Sequence, residues 1–507
     1  QKLLKDGLLL FNYTGHGGTT ALSDEKVLTQ TDINQFTYTH LPVWVTATCD
    51  FTRFDDLNTS AGEDVFLNKS SGGIALFTTV RVAYSRPNFP INDNVIRNLF
   101  ERNNGRRRTL GEVMQATKNT LSSVYKLGFC LIGDPAVKMA YPEFGMKVTT
   151  VNGQAVDGNS ISFKALEKIT VEGEVLDASG QLVTDFTGIV NPTVKDSKVT
   201  VTCLKNSNKD DTPAFTFTDY PNTIFIGNDS VHNGKFSFTF TVPKDISYSN
   251  LQGKMNLYAV DTENGHEAQG NFDNFIVGGT SDTAETDTIG PEIRALYLND
   301  TTFVDGGQVN TTPYFVAELW DKSGVNITGS SVGHDMMLVI DESTVLSYNL
   351  NSYYELLPGE EGAGIVKFPI PALEPGKHTA EFWVWDIQNN STVRTFTFEV
   401  VEGLKPFLFD VIATPGIARE QVTFHLMHNR PESRMRVGIM VYDLAGRQLW
   451  KHEESGTSGL FENYTVSWDL TCGGARMRPG VYIYRAAIST DNSKDATKAR
   501  KFIILGE

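Results

Sequence analysis

One histidine and one cysteine follow two short apolar runs near the start of the chain. His16 lies in Asn-Tyr-Thr-Gly-His-Gly-Gly directly after residues 8–11, and Cys49 lies in Thr-Ala-Thr-Cys-Asp-Phe directly after residues 43–45. Apolar runs of this length, followed by small or polar residues, predict buried strands of a parallel sheet that end in loops. Open α/β sheets carry their chemistry at the carboxyl ends of such strands, so we expect both side chains at one edge of the sheet.

A cysteine beside a histidine is typical of a nucleophile and its proton-transfer partner, because the thiolate is the reactive species and an imidazole can activate it. The alternative is that Cys49 is a small core residue after a buried strand. The glycines on both sides of His16 favour catalysis. A histidine in that setting has no packing role, and a bare loop lets a substrate carbonyl approach the backbone.

The chemistry that this pair predicts is acyl transfer. The Cys49 thiolate attacks a peptide carbonyl, His16 protonates the departing amine, and water or a second amine resolves the thioester. The backbone N–H groups of Cys49 and Gly17 are the expected oxyanion hole, in which each donor is worth about 3 kcal/mol. The reaction requires no cofactor, and we assign no metal site.

Residues 79–91 leave a third predicted strand on the side of the sheet where we expect His16 and Cys49. Loops in that position usually shape a substrate cleft, which makes Arg81 and Tyr84 the candidate substrate-binding residues. The alternative is an ordinary surface crossover. Three acids nearby could orient His16, bind a cation or cap the next helix: Asp50, Asp55 and Asp56.

The Gly-His-Gly segment at residues 15–17, together with Cys49, resembles the catalytic dyad of the gingipain family of cysteine peptidases, which have a caspase-like fold. The resemblance continues through three further segments, at residues 47–56, 59–63 and 72–81. It is strongest for one branch, the C-terminal signal peptidases (sortases) of the type IX secretion system. In this family the acid that supports the histidine lies upstream of the part that residues 1–142 resemble, so no third catalytic residue is assigned.

The resemblance implies a cysteine endopeptidase with transpeptidase activity. Its substrates would be secreted cargo proteins that carry C-terminal sorting domains, and its acceptor would be the amine of an anionic lipopolysaccharide. Its partner would be a PorV-like β-barrel of the outer membrane. Its location would be the surface of a Gram-negative bacterium, peripherally attached to the outer membrane. Two other functions stay open: a non-catalytic scaffold of the secretion machinery and a general gingipain-type extracellular protease.

The 507 residues are too many for one core and predict several domains. Residues 1–142 alternate strands and helices but supply too few of either for a complete parallel sheet. We therefore expect them to be the C-terminal part of a caspase-like (gingipain-type) α/β domain within a longer protein. Turn signals and strand-like alternation then predict three β-sandwich modules, at residues 145–279, 289–402 and 403–507. The first two resemble immunoglobulin-like modules, and the third resembles a type IX sorting domain.

Composition excludes some classes of function. The formal net charge of −16 disfavours sequence-independent nucleic-acid binding, which needs a basic surface. No run of about 18 apolar residues predicts a membrane span. The four cysteines are spread too widely for a disulfide framework, and we expect free, mostly buried thiols: Cys49, Cys130, Cys203 and Cys472.

Acidic and amide side chains stand at predicted strand ends of the second β module: Asp321, Asp386, Asn389 and Asn390. Side chains of these types usually form turns in such positions, which is the interpretation that we favour. A calcium site is the alternative, because carboxylate and amide oxygens are the ligands that Ca²⁺ prefers.

Overall fold

The computed structural model describes residues 3–4, 7–103, 105–122, 124–158, 161–205, 213–282, 286–329, 333–357, 360, 362–490 and 492–505, with the backbone alone for residues 85–87 and 125. The chain divides into two compact units. The α/β unit contains Gln1–Gly145 and Leu176–Gln181, and the β unit contains Met146–Val175 and Leu182–Glu507. None of the helices in the described ranges is both long and apolar enough to cross a bilayer.

The α/β unit alternates strands with helices. Its elements are β1 Leu10–Thr14, β2 Ala21–Leu22, β3 Leu28–Thr29, α1 Gln30–Gln35, β4 Val43–Ala47, α2 Ala61–Leu67, β5 Ala75–Thr79, α3 Ser85–Phe100, β6 Arg102–Asn103, β7 Arg106–Arg107, α4 Leu110–Asn119, a 3₁₀ helix Val124–Gly128 and β8 Phe129–Ile132. The main sheet has the order β1-β4-β5-β8. Thr14 pairs with Ala47 and Thr46 with Thr78, both in parallel, so the carboxyl ends of β1, β4 and β5 lie level.

The central strand β4 is buried on both faces. Val43 and Val45 belong to a core that also contains residues of α3 and α4, whereas Trp44 belongs to a second core with residues of α2. Burial on both sides explains why the strand is a continuous apolar run without alternation. The α/β alternation that the sequence predicts for residues 1–142 is confirmed.

Two elements of this unit differ from the sequence expectation. α3 begins at Ser85, inside the segment expected to be a loop, and it contains Pro90. Prolines favour a loop because they lack an N–H donor and clash with the preceding helical turn, yet the remaining contacts of this helix tolerate one. β8 is antiparallel to β5, so the sheet is mixed rather than all parallel.

All four cysteines are free, as expected, but the expectation that most are buried is wrong. Cys203 is exposed, and Cys49, Cys130 and Cys472 are half-buried.

The β unit begins with a curved sheet. The strands of this part are β9 Phe144–Val151, β10 Gln154–Ala155, β11 Ile161–Ala165, β12 Lys168–Leu176, β13 Gly188–Lys195, β14 Val199–Thr202, β15 Thr216–Asp219, β16 Thr223–Ile226, β17 Asp229–His232, β18 Lys235–Thr241, β19 Leu251–Gln252, β20 Lys254–Asp261, β21 Glu267–Phe272 and β22 Phe275–Thr280. The main sheet closes on itself, because β9 pairs with β21 as well as with β12. A smaller sheet, β11-β22-β19, packs on it through Phe163, whose ring lies 5.9 Å from that of Phe240.

The next part consists of two sheets around one core. Its elements are β23 Glu292–Leu298, β24 Gly307–Val309, β25 Tyr314–Trp320, β26 Met337–Ile340, β27 Ser347–Asn349, a 3₁₀ helix Asn351–Tyr353, β28 Tyr354–Leu356, β29 Ala363–Pro369, β30 Gly376–Trp385 and β31 Ser391–Val400. The sheet β23-β25-β29-β28 faces the sheet β24-β31-β30-β26-β27. Both contribute buried side chains to the same core, including Phe315 and Phe382, whose ring centroids are 5.1 Å apart.

The last part has the same two-layer organisation. Its strands are β32 Leu408–Thr414, β33 Ile417–Ala418, β34 Val422–His428, β35 Met435–Tyr442, β36 Gln448–Gly456, β37 Tyr464–Trp468, β38 Thr471–Cys472, β39 Ala475–Arg476, β40 Gly480–Ser489 and β41 Ala496–Ile504. The predominance of strands after residue 145 is confirmed. The module boundaries and the immunoglobulin-like character stay predictions.

Candidate active site

The loop that carries His16 begins where β1 ends and is held by backbone hydrogen bonds. The Gly15 N–H donates to the Ala47 carbonyl at 3.3 Å, at the end of the neighbouring strand β4. The His16 carbonyl accepts from the Ser23 N–H at 2.7 Å and from the Tyr13 hydroxyl at 2.6 Å. The backbone of His16 is therefore fixed, while its side chain is exposed.

Gly17 brings this loop against the residue that precedes Cys49. A Cβ atom at Gly17 would lie 2.5 Å from Thr48 Oγ1 and 3.1 Å from the Ala21 carbonyl oxygen, so no larger residue fits without displacement. The glycines that suggested a bare loop thus have a packing reason as well. The His16 and Cys49 loops lie at the same edge of the sheet and are in contact.

Cys49 follows β4 and is held by the segment after β5. Its Sγ lies 3.2 Å from the Ala83 carbonyl oxygen, and the Ala83 N–H donates to Sγ at 3.4 Å. The Asp50 N–H donates to the Arg81 carbonyl at 3.3 Å, and Asp50 has a positive φ of 49°. An N–H group directed at the sulfur can stabilise negative charge that develops there.

A network of buried threonine hydroxyls lies behind the nucleophile loop. Thr78 Oγ1 lies 2.7 Å from Thr46 Oγ1 and 2.8 Å from Thr52 Oγ1, and the Thr79 hydroxyl donates to the Thr48 carbonyl. These bonds join the carboxyl ends of β4 and β5 to the loop of Cys49. Sequence reasoning missed this network, although threonines recur at the ends of both strands.

Two backbone N–H groups at this edge have no acceptor among the described residues. Gly17 and Leu22 form an antiparallel bridge, but the Ser23 and Gly18 N–H groups make its hydrogen bonds, to His16 and Ala21 respectively. Neither the Gly17 N–H nor the Cys49 N–H donates to an oxygen of the described part of the chain. Both donors named for the oxyanion hole are therefore available, and their catalytic role stays a prediction.

The structure assigns Arg81 an acidic partner. Arg81 donates to both carboxylate oxygens of Asp55, at 3.1 and 2.6 Å, and these bonds hold the pKa of Asp55 below its ordinary value. Asp56 lies 3.6 Å from Arg53. The two aspartates thus pair with arginines rather than with His16. Buried Asp50 Oδ1 has no partner among the described residues.

Tyr84 stands at the N-cap position of α3, and its carbonyl accepts from the Asn88 N–H at 3.2 Å. Its side chain is exposed. The helix that it precedes leaves the Cys49 side of the sheet. Substrate binding by Arg81 and Tyr84 stays a prediction.

Sequence reasoning missed Glu25, an acid that interacts electrostatically with His16. The Ser23 hydroxyl donates to its carboxylate and lowers the pKa of Glu25, and the charge of protonated His16 lowers it further. The Glu25 side chain is exposed. The only sequence signal is its position shortly after the glycines of the His16 loop.

A cavity of about 750 Å³ lies in the β unit, and all of its lining residues belong to that unit. Its walls include Phe225, Phe238, Ser323 and Tyr354. It is separate from the chemistry that the dyad predicts.

Comparison with known proteins decides the family. Residues 1–140 match the model of peptidase family C25. The chain is 37% identical to the dimeric latent PorU of Porphyromonas gingivalis, with coverage of 81% of this chain and 39% of that one and a TM-score of 0.36. Residues 1–140 therefore belong to peptidase family C25. Within this family the chain is PorU-like, and the family supports a cysteine-peptidase type of function.

The chain spans about 39% of the length of the PorU structure. The RgpB complex of P. gingivalis, with its pro- and mature domains, is 20% identical over 54% of this chain and 55% of that one, at a TM-score of 0.25, which is too low to support a structural argument. A search of curated proteins returns no match to this chain.

Proposed function

We propose that this chain carries the nucleophile and the histidine of a C-terminal signal peptidase. The enzyme removes the C-terminal sorting domains of type IX cargo proteins and can transfer the new C-terminus to an amine of an anionic lipopolysaccharide. The observation that supports it most directly is the contact between the His16 and Cys49 loops, through Gly17 and Thr48, at the carboxyl ends of two parallel strands. The 37% identity to PorU supports the choice of this branch over a general protease.

In the first half of the reaction, the Cys49 thiolate forms a bond to the scissile carbonyl carbon. The negative charge on the carbonyl oxygen is stabilised by the Gly17 and Cys49 N–H groups, which have no other acceptor among the described residues. When the intermediate collapses, the C–N bond breaks and His16 gives its proton to the departing amine. The product is a thioester between Cys49 and the cargo.

In the second half, water or an acceptor amine attacks the thioester carbon. His16 accepts the proton of the attacking group, and the Cys49 thiolate leaves. Water gives a cleaved cargo protein with a free carboxyl terminus. An amine gives a new amide, which is the transfer reaction. Because His16 is exposed, both acceptors can reach it.

The proposed setting is the cell surface, with the enzyme peripherally attached to the outer membrane through a PorV-like β-barrel. The β modules after residue 145 would serve this attachment, and the module at residues 403–507 would resemble the sorting domains of the cargo itself. The caspase-like fold of the catalytic domain and the immunoglobulin-like fold of the modules belong to this proposal.

The test uses the full-length protein and a cargo protein that ends in a sorting domain. Cys49→Ala and His16→Ala should each lower the cleavage rate by about 10⁴-fold, because both residues act in the same step. Cys130→Ala, which removes another half-buried free thiol, is the matched control and should leave the rate unchanged. Mass spectrometry with an added amine distinguishes hydrolysis from transfer.

A non-catalytic scaffold would give a different result. A thiol-reactive peptide probe should label the wild-type protein between pH 5 and 8, and the label should disappear in Cys49→Ala but persist in Cys130→Ala. Absence of labelling in the wild type, with secretion still supported by Cys49→Ala, would overturn the peptidase proposal.

A further inference from the structure

Three aspartates converge in the β unit. Asp287 precedes β23, Asp321 follows β25 and Asp386 follows β30. One carboxylate oxygen of each lies within 4.8 Å of the other two. Asp321 and Asp386 are buried, and Asp287 is half-buried. The sequence interpretation of Asp321 and Asp386 as turn formers does not explain why three acids meet.

The turns use only some of the available oxygens. Asp321 Oδ1 accepts from the Ser323 N–H and hydroxyl, both at 2.7 Å, and from the Gly324 N–H at 2.9 Å. Asp386 accepts from the backbone N–H and the side-chain amide of Asn390, both at 2.7 Å. No donor among the described residues reaches the second oxygen of Asp321. Turn formation therefore leaves acceptor capacity that is directed at the other acids.

The cluster has no ion-pair partner within the described part of the chain. None of the three aspartates forms an ion pair with a described lysine, arginine or histidine. Burial raises the pKa of Asp321 and of Asp386, and the charge of the neighbouring acid raises each further. Buried carboxylates are normally paired with a cation or bind a metal, because an unpaired charge is costly to remove from water.

Tyr354 supplies an observation that does not depend on the acids. Its side chain is buried, at 5% relative exposure, and its hydroxyl has no hydrogen-bond partner among the described residues. The ring crosses Gly364, which pairs with Leu319 two residues before Asp321. Burial and the Asp321 carboxylate raise the pKa of the Tyr354 hydroxyl. A buried oxygen without a partner, close enough to Asp321 for that carboxylate to raise its pKa, is expected where a ligand or its bound water completes the site.

We propose that Asp287, Asp321 and Asp386 bind one Ca²⁺ ion, with the Tyr354 hydroxyl beside it. Ca²⁺ binds carboxylate oxygens at about 2.4 Å, and two ligands on opposite sides of such an ion lie about 4.8 Å apart. The three oxygens are therefore close enough to approach one ion with small side-chain adjustments. Mg²⁺ fits less well, because its shorter bonds and strict octahedral geometry usually require several retained waters. The cavity walls that include Ser323, Gly324 and Tyr354 give solvent a route to the Asp321 turn.

The site would fix the segment that joins two parts of the β unit. Asp287 lies between β22 and β23, and its N–H donates to Gln388 Oε1 at 2.9 Å. The loop that contains Asp386 also contacts the preceding part of the unit, because the Lys244 N–H donates to the Ile387 carbonyl at 2.8 Å. Calcium would therefore cross-link this joining segment to two strand ends and stiffen it. The inference is independent of peptidase activity.

The test measures calcium binding to the full chain after treatment with EDTA. Isothermal titration with CaCl₂ should show one site per chain with a Kd of about 10⁻⁴ M, the range of extracellular modules, and saturating Ca²⁺ should raise Tm by several degrees. MgCl₂ at the same concentration should have a smaller effect. Asp287→Asn is the main variant, because among the described donors only the Ile289 N–H, at 3.0 Å, reaches the Asp287 side chain, so the change should disturb the fold little. This variant should bind calcium at least about tenfold more weakly.

Asp305→Asn is the matched control. Asp305 is an exposed acid of the same part of the unit that accepts from the Thr397 N–H at 2.6 Å, and its replacement should leave calcium binding unchanged. Asp321→Asn should abolish binding where it folds. Two results would overturn the proposal: no response of the wild type to Ca²⁺, or equal calcium affinity in Asp287→Asn and the wild type. If acidification stabilises the EDTA-treated protein but added Ca²⁺ does not, the acids share a proton and hold no metal.

Discussion

The edge of the sheet that carries Cys49 and the acid cluster of the β unit differ in the polar groups that they offer to the proposed ligands. At the sheet edge, the groups without a partner among the described residues include two backbone donors, the N–H groups of Gly17 and Cys49. In the β unit, the groups that converge are carboxylate oxygens, which are acceptors. Donors suit an oxyanion that forms during a reaction, and acceptors suit a cation that stays bound.

The two regions also differ in how they are positioned. The Cys49 loop is held by hydrogen bonds between neighbouring strand ends, with buried threonines behind it, while the His16 side chain remains exposed. The acids are buried or half-buried and come from three segments that are far apart in sequence. A catalytic site must admit a substrate, whereas a Ca²⁺ site needs oxygens that are held together before the ion binds, and each region has the exposure that its chemistry requires.

Among variants that keep both catalytic side chains, the largest effect is expected from Gly17→Ala. The added Cβ would meet Thr48 Oγ1 at 2.5 Å, so the His16 loop must move away from the residue before Cys49. Displacement of the residue 17 N–H, one of the two oxyanion donors, and misplacement of the histidine should together lower kcat/KM by about 10³-fold. The measurement is cleavage of a cargo protein by the purified variant.

Gly18→Ala is the matched control, because a Cβ at Gly18 meets no atom within 4 Å. Addition of Thr48→Ala to the Gly17 variant removes the clash with Oγ1 and should recover part of the lost rate. A Gly17→Ala enzyme with wild-type kinetics would show that the two loops need not touch. The contact between them would then have no catalytic role.

The next prediction concerns the sign of the change in folding stability with pH in the β unit. His428 lies in the β unit with Nδ1 accepting from the Arg430 N–H at 3.1 Å and Nε2 2.7 Å from Ser458 Oγ. Burial, with the nearby Arg430 charge, lowers the pKa of His428 to about 4. The folded state then binds fewer protons than the unfolded state between about pH 6.5 and 4, so stability falls as the pH falls through this window, by about 3 kcal/mol in total.

The metal-free acid cluster should respond with the opposite sign. The raised pKa of Asp321 and Asp386 means that the folded state binds more protons than the unfolded state above the ordinary aspartate pKa, so acidification adds stability there. Chemical unfolding from pH 7 to 4 in EDTA, for the wild type and His428→Gln, separates the two contributions. If the free energy of unfolding depends equally on pH in both proteins, protonation of His428 does not destabilise the folded state.

Patterns confined to one segment could be predicted from the sequence. A threonine followed three residues later by a glutamate, as at Thr109 and Glu112, is a local sequence signal for the start of a helix, and α4 begins there. The two apolar runs are adjacent parallel strands. Pairings between distant residues could not be predicted, because nothing in the sequence near Asp55 indicates that Arg81 is its partner. The convergence of Asp287 on Asp386 likewise depends on how separate strands pack.

The smallest effect on KM is expected from replacement of the exposed pair of Arg81 and Asp55. It tests the prediction that Arg81 binds substrate. Arg81 was predicted to bind substrate, yet both of its terminal nitrogens donate to Asp55. If the pair only steadies the segment whose Arg81 carbonyl accepts from the Asp50 N–H, Arg81→Gln and Asp55→Asn should change KM by the same factor, about two- to threefold, and the double variant by no more. Both changes in KM should become smaller at high salt, because exposed ion pairs are screened.

The exposed pair of Arg97 and Asp93 on α3 is the control, and Arg97→Gln should leave KM unchanged. A rise in KM for Arg81→Gln far above that for Asp55→Asn would instead show that the guanidinium leaves Asp55 to contact the cargo, and a positive charge would then join the two backbone donors at this edge.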